Sequence, residues 1–276
     1  MESLQTFSSS VFLWGMAPVI SAAGLARTFT TKRGPVDAVR GVDLTVHEGE
    51  ILGLLGPNGA GKTTTLRMLT TLLAPTGGAA TVAGHDLAGE PAGVRRACGY
   101  VAQSGGVDPA ITVREELVTQ ARLYRLPKAE AAGRAEELAH ELDLTALLDR
   151  RCGALSGGQR RRLDIAMALT HRPRVLFLDE PTAGLDPGSR ADLWDLVRRL
   201  RDAHGTTVFL TTHYLDEADA LADRLVIVDH GVVAAEGTPA ALKLAHGGSI
   251  DATLQDTFLA LTGRGPAPAG TDPVSV

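Results

Sequence analysis

Gly56-Pro57-Asn58-Gly59-Ala60-Gly61-Lys62-Thr63 is a run of residue types suited to holding phosphate. Its glycines let successive backbone N–H groups turn toward phosphate oxygens. A helix that follows adds its N-terminal dipole. Lys62 places a point charge on β- and γ-phosphates, and the Thr63 hydroxyl can ligate Mg²⁺. The run fits glycine, any four residues, glycine, lysine, threonine at every position.

Further along, Val175 to Leu178 is apolar and ends in Asp179-Glu180. Side chains alternate along a strand, so these two carboxylates cannot play the same part. The pattern assigns Asp179 to Mg²⁺, through water, and Glu180 to the attacking water at the γ-phosphate. Ser156-Gly157-Gly158-Gln159 precedes a helical stretch and forms an anion site without a lysine. It makes most sense as half of a split site, with Ser156 and the Gly158 amide meeting a γ-phosphate held on another copy. Gln103 follows a strand and opens the loop Ser104-Gly105-Gly106. From there it can sense Mg²⁺ or the attacking water. His213 lies just past the carboxyl end of a strand, where parallel sheets bind ligands, and can hold Glu180 in place. Asp186 can brace the nucleotide loop across a dimer contact or act as an N-cap in the turn before Pro187.

These groups need strands and helices to carry them. Gly24 to Phe29, Val42 to Val46 and Ile51 to Leu55 read as strands, the last buried and running straight into the glycine loop. Lys62 to Leu73 reads as a helix ended by Pro75-Thr76-Gly77-Gly78. Ala79 to Val82 is a strand, Gly84-His85-Asp86 a turn, and Gly99 to Gln103 a strand entering a loop. Residues 112–150 change character. Thr112 with Glu115 forms a capping box, and a second helix follows Pro127 from about Ala129 to Leu142. This stretch is the candidate for a movable helical subdomain. Helices at Arg160–Leu169, Arg190–Leu200 and Asp216–Ala222 then alternate with strands at 175–178, 207–210 and 225–228. That rhythm predicts an α/β fold with a mostly parallel sheet. The run Arg160-Arg161-Arg162 reads as a solvated helix face.

The 276 residues carry 27 basic and 32 acidic groups, net −5, which gives no broad basic field for nucleic acid. Cys98 and Cys152 are far apart, without metal-ligand spacing, and read as reduced core thiols. No stretch reaches 18 consecutive apolar residues. Val11 to Ile20 is apolar but holds Gly15 and Pro18 and lacks a basic segment before it, which argues against a signal peptide. Residues 1–21 therefore read as a dispensable leader, with Met16 an alternative start. From Gly263 the chain is rich in Gly, Pro and Ala and is expected to be disordered.

In order and spacing, these motifs resemble the ATP-binding subunits of ABC transporters over about residues 22–245. Gly56–Thr63 is similar to the Walker A loop, Gln103 to the Q-loop, Leu155–Gln159 to the signature sequence and Val175–Asp179 to Walker B. Glu180, Gly184–Asp186 and His213 match the catalytic glutamate, the D-loop and the switch histidine. The resemblance implies a P-loop NTPase core of ABC ATPase type, with an antiparallel β subdomain and a helical subdomain at about 104–155. A tail occupies 246–276. It implies ATP and Mg²⁺ as ligands, with Thr63, Gln103 and Asp179 at the metal and Thr64 beside the nucleotide. Phe29 matches the aromatic that stacks on adenine, although it fits a strand core equally well. Thr31-Lys32-Arg33-Gly34, Gly157–Ala166 and Thr211–Asp219 resemble the daunorubicin-resistance type of exporter ATPase.

That resemblance implies a sandwich dimer, expected as a homodimer, coupled to a multi-span membrane permease at the cytoplasmic face of the membrane, with no nucleic-acid partner. Two rivals differ from it. A soluble ABC ATPase acting on DNA or ribosomes would usually show a long coiled-coil insert or two cassettes. A non-hydrolysing regulatory subunit would show a damaged Glu180, His213 or signature loop.

Overall fold

The computed structural model describes residues 18–249 and 251–263. Two sheets form the frame. A four-stranded antiparallel sheet has the order β2-β1-β4-β5, from β1 (Pro18–Thr31), β2 (Gly34–His47), β4 (Gly77–Val82) and β5 (His85–Asp86). A six-stranded sheet has the order β10-β9-β3-β8-β7-β6. Its members are β3 (Ile51–Leu55), β6 (Cys98–Val101), β7 (Val175–Asp179), β8 (Thr207–Thr212), β9 (Arg224–Asp229) and β10 (Val232–Gly237). All neighbours in this sheet are parallel except β10, which runs antiparallel to β9.

Strands β3, β7 and β8 are buried at every residue. That explains the apolar runs at Ile51–Leu55, Val175–Leu178 and Val208–Leu210: a parallel strand covered on both faces has no solvent side. The period of two survives in which core each residue joins. Leu176, Leu178, Val208 and Leu210 pack toward the helices, whereas Val175, Phe177 and Phe209 pack toward the antiparallel sheet. Phe177 and Phe209 meet there with ring centroids 5.5 Å apart.

The helical segment leaves and rejoins the core at one place. Thr112 bridges Arg151, the Val113 amide donates to the Arg150 carbonyl, and the Cys152 amide donates to the Ile111 carbonyl. Between these ties lie α3 (Val113–Leu123) and α4 (Lys128–Glu141), with α3 capped by Thr112 and Glu115 as the sequence predicts. The remaining helices are α1 (Lys62–Leu69), α2 (Pro91–Ala97), α5 (Gly157–Leu169), α6 (Pro187–His204), α7 (Leu215–Leu221), α8 (Pro239–His246) and α9 (Leu254–Thr262). Among the described residues no helix is long and apolar enough to cross a membrane. Cys98 and Cys152 are free and buried, and burial pushes the Cys98 thiol up to about 12.

Four sequence expectations are corrected. The first strand begins at Pro18, inside the stretch read as a leader. Val19 and Ile20 are buried there, and Ile20 pairs with both Val46 and Val82. Residues 1–17 lie outside the described residues. The C-terminal stretch does not loosen at residue 246, because α9 packs Leu254 and Phe258 against Leu225, Ile227 and Leu242. The expected disorder beyond Gly263 falls outside the described residues. The helix from Lys62 stops at Leu69 instead of Leu73, since Thr70 caps it and Thr71 turns to φ +60°. His85–Asp86, read as a turn, is a short strand paired with Thr81 and Val82.

Candidate active site

The β3 strand delivers the glycine loop to the carboxyl edge of the six-stranded sheet, and the Gly56 amide donates to the Thr212 carbonyl there. Gly61 adopts φ +101°, and a Cβ at that position would meet the Ala38 carbonyl oxygen at 2.5 Å. Only glycine allows this turn and this close approach of β2. Lys62 follows as the first residue of α1 and is buried. Its ammonium folds back over the loop, donating to the Gly56 carbonyl at 2.9 Å and the Pro57 carbonyl at 3.2 Å. Asn58 and Gly59 stay exposed at the loop tip, and Ala60 is buried beneath it. Thr63 and Thr64 are half-buried in the first turn of α1.

Glu180 is where the predicted residues converge. One carboxylate oxygen lies 3.3 Å from the Lys62 ammonium. The other accepts from the Gln103 amide at 3.2 Å and lies 3.2 Å from His213 Nδ1. Four chain segments, at 62, 103, 180 and 213, therefore meet at one carboxylate. Burial alone would push that carboxyl up, but the nearby His213 and Lys62 overcome it and hold it below its ordinary range. Burial also pulls the Lys62 ammonium below its ordinary range, against the opposing pull of Glu180.

The backbone at Glu180 is unusual. Its φ of +45° is left-handed, a conformation that costs about 1–3 kcal/mol outside glycine and persists only where the surroundings impose it. The imposing contacts come from β8: the Glu180 amide donates to the Thr211 hydroxyl at 3.0 Å and to the Thr211 carbonyl at 3.1 Å. That turn separates the two acids. Asp179 stays in the strand and is 1% exposed; its Oδ1 accepts from the Thr63 hydroxyl at 2.9 Å and the Thr211 hydroxyl at 2.7 Å. Thr211 is a site residue the sequence did not announce. Its place follows from the register that sets it opposite Asp179.

The residues at 156–159 are not part of this convergence. Ser156 caps α5, its hydroxyl accepting from the Gln159 amide at 3.3 Å, while the Gln159 side chain accepts from the Ser156 amide at 3.0 Å. Ser156 and Gly157 are exposed, and Gly158 sits beside Ser189 at the start of α6. Asp186 caps α6, accepting from the Ser189 amide at 3.0 Å and the Ser189 hydroxyl at 2.6 Å. Phe29 is half-buried near the end of β1, with the Arg27 guanidinium 4.8 Å from its ring centre, so it is not a core residue. The expected solvated face at Arg160–Arg162 is corrected at its middle member: Arg161 is only 6% exposed.

The donor set suits both expected ligands. Backbone amides at a helix start with a buried lysine fit a polyphosphate. Thr63 and Asp179 offer only oxygens at the loop, with Gln103 nearby, and oxygen donors fit Mg²⁺.

Comparison with known proteins identifies relatives of this chain. The ABC transporter family profile matches residues 39–183. The chain is 51% identical over 231 residues to the daunorubicin/doxorubicin resistance ATP-binding protein of Streptomyces peucetius, covering 84% of this chain and 68% of that protein. It is 47% identical to the doxorubicin resistance ATP-binding protein of Mycobacterium tuberculosis, covering 83% of this chain and 67% of the relative. Among solved structures, the ATP-binding subunit of an ABC transporter superposes with a TM-score of 0.75 at 29% identity, covering 88% of this chain and 99% of the other. A dimeric post-hydrolysis ATP-binding cassette bound to ADP and Pi superposes with a TM-score of 0.72 at 27% identity, covering 79% and 98%.

Proposed function

The chain belongs to the ABC transporter family of ATPases, and from that membership we propose that it powers export of a drug-like or natural-product substrate through a separate membrane permease. The observation that carries the reading is the meeting of Lys62, Gln103 and His213 at the Glu180 carboxylate. The export direction rests on the two drug-resistance relatives.

The chemistry is in-line attack of water on the γ-phosphorus of ATP. A P–O bond forms to the water oxygen, and the bond to the β–γ bridging oxygen breaks, releasing ADP and phosphate. Lys62 neutralises phosphate charge by exchanging its contacts with Glu180 and with the Gly56 and Pro57 carbonyls for phosphate oxygens. That exchange releases Glu180, which then orients the water and takes its proton. His213 holds the carboxylate in place, and Gln103 reports the state of the site to the helical segment that follows it. Thr63 and Asp179, with Gln103, would hold Mg²⁺, which when bound offsets charge on the β- and γ-phosphates. Phe29 would stack on the adenine.

Ser156, Gly157, Gly158 and Gln159 complete the site from a second copy, with Asp186 bracing the contact. The exposure of Ser156 and Gly157 at a helix N-terminus supports this, as does the dimeric arrangement of the similar cassette. Closure of the two copies excludes water and assembles the site. A homodimer at the cytoplasmic face of the membrane satisfies these requirements. A cavity of about 400 Å³ lined by Ser104, Gly105, Gly106, Gln120 and Tyr124 supports docking of the permease beside the Gln103 loop.

Co-purification of tagged protein from detergent-solubilised native membranes, with ATPase activity read beside a Glu180→Gln control, tests the proposal. A multi-span partner with glutamate-dependent activity supports export. Glutamate-dependent activity with only soluble or nucleic-acid partners overturns it.

A further inference from the structure

Arg161 belongs to the arginine run on α5 that reads in sequence as a solvated helix face, yet it is 6% exposed. Its guanidinium donates to three backbone carbonyls: Nε to Pro181 at 2.8 Å, Nη1 to Ala102 at 2.5 Å and Nη2 to Asp179 at 3.0 Å. Asp179 and Pro181 flank Glu180, and Ala102 immediately precedes Gln103. One rigid planar group thus grips the chain on both sides of the left-handed Glu180 and just ahead of the amide that reaches its carboxylate. Asp164, one turn on along α5, lies 3.8 Å from Nη1. Asp164 is itself packed against Gly105, just past Gln103.

A buried guanidinium is a costly way to fill space. An apolar side chain of similar volume would stabilise as well or better if packing were its whole purpose. What the guanidinium offers is a fixed fork of donors that a lysine cannot reproduce. Arg161 also lies five residues beyond Ser156, within the helix that Ser156 caps. Any shift of that helix is carried to the backbone around Glu180 and Gln103.

We infer that Arg161 is a positioning residue for hydrolysis, holding Glu180 and Gln103 in register with each other and with the helix that presents Ser156. The inference rests on the reading of Glu180 as the group that orients water. Arg161 touches no nucleotide atom in this scheme, so its loss acts on turnover and not on ATP binding.

The test compares Arg161→Gln, Arg161→Lys and Glu180→Gln in the full chain. Steady-state phosphate release, affinity for a fluorescent ATP analogue and thermal melting are measured on each. A folded Arg161→Gln protein is expected to lose about tenfold or more in kcat, with KM and nucleotide affinity within about threefold of the parent. In the Glu180→Gln background the same change adds less than about threefold, because both act on one step. Arg161→Lys shows the same pattern and stands in if the glutamine variant does not fold. A kcat within about threefold of the parent in a folded variant overturns the inference, as does a loss that appears in affinity or multiplies with Glu180→Gln. If Glu180→Gln keeps the parent rate, the reading of Glu180 itself fails, whatever the Arg161 variants do.

Discussion

Lys62 and Glu180 face each other at 3.3 Å with side chains 4% and 9% exposed. Neither charge has much water, so each depends on the other. In the proposed mechanism an arriving γ-phosphate would compete with Glu180 for the ammonium and free the carboxylate for the water. On that reading the ion pair is a resting arrangement that nucleotide binding would break.

Replacing Glu180 by glutamine keeps the shape of the side chain and removes its basicity. Phosphate release should fall by about 10²–10⁴-fold, the usual contribution of a positioned base. Nucleotide affinity should hold or improve, since Lys62 no longer has a competing carboxylate. Size-exclusion chromatography with ATP should show dimer accumulating where the parent shows monomer. Unchanged turnover would remove Glu180 from the mechanism.

Replacing Lys62 by alanine should weaken binding of a fluorescent ATP analogue by tenfold or more, about 1.4 kcal/mol at least. It also leaves Glu180 buried without its cation, which is costly for a charged group. Glu180 then titrates higher than in the parent. Equilibrium binding measured against pH checks both effects, and full affinity in the alanine variant would contradict them.

Burial pushes the Asp164 carboxyl up from 3.8 to about 6, against the opposing pull of Arg161 and Arg160. A carboxyl raised on folding favours the folded state while it is protonated in both states, below about pH 4. Its ionisation penalty grows between about pH 4 and 6 and is complete above that, so stability from this group falls as pH rises. Asp164→Asn should therefore raise the melting temperature more at pH 7.5 than at pH 4.5. The ceiling is roughly 3 kcal/mol, at about 1.4 kcal/mol for each tenfold change in proton affinity. Equal melting shifts at both pH values would show that Asp164 titrates normally.

The two ends of the described chain should behave as core. Ile20→Ala removes a fully buried side chain between β2 and β4, at an expected cost of about 2–5 kcal/mol. Phe258→Ala empties the contact of α9 with the β9 side of the sheet, at an expected cost of about 3–5 kcal/mol. Urea unfolding measures both. Changes below about 0.5 kcal/mol, as for ordinary surface positions, would mean that these segments are not held as described.

The phosphate loop, the acidic pair and the cap at Thr112 are legible in the sequence alone, because each depends on residues within a few positions of one another. A glycine turn, a capping box and a buried strand are local patterns, and their chemistry is set by spacing along the chain. Strands β3 and β7 are legible for the same reason, their apolar runs reflecting burial on both faces. The antiparallel sheet is harder to bound. The burial of Val19 and Ile20 depends on pairing with β2 and β4, and residues 18–21 alone carry no sign of those partners.

The same limit separates the parts of the site. Local sequence names Lys62, Gln103, Glu180 and His213, but not that all four meet at one carboxylate. Thr211 and Arg161 lie within family-like stretches, but nothing in those stretches marks either as part of the site. Thr211 matters because strand register sets it opposite Asp179, and Arg161 because three carbonyls from distant segments converge where α5 crosses the sheet. Short-range patterns specify turns, caps and strand character, since the interacting atoms are close in sequence. Which buried polar group meets which partner depends on packing across the whole fold, and there a run of three arginines divides into one buried positioning group and two neighbours with a different fate.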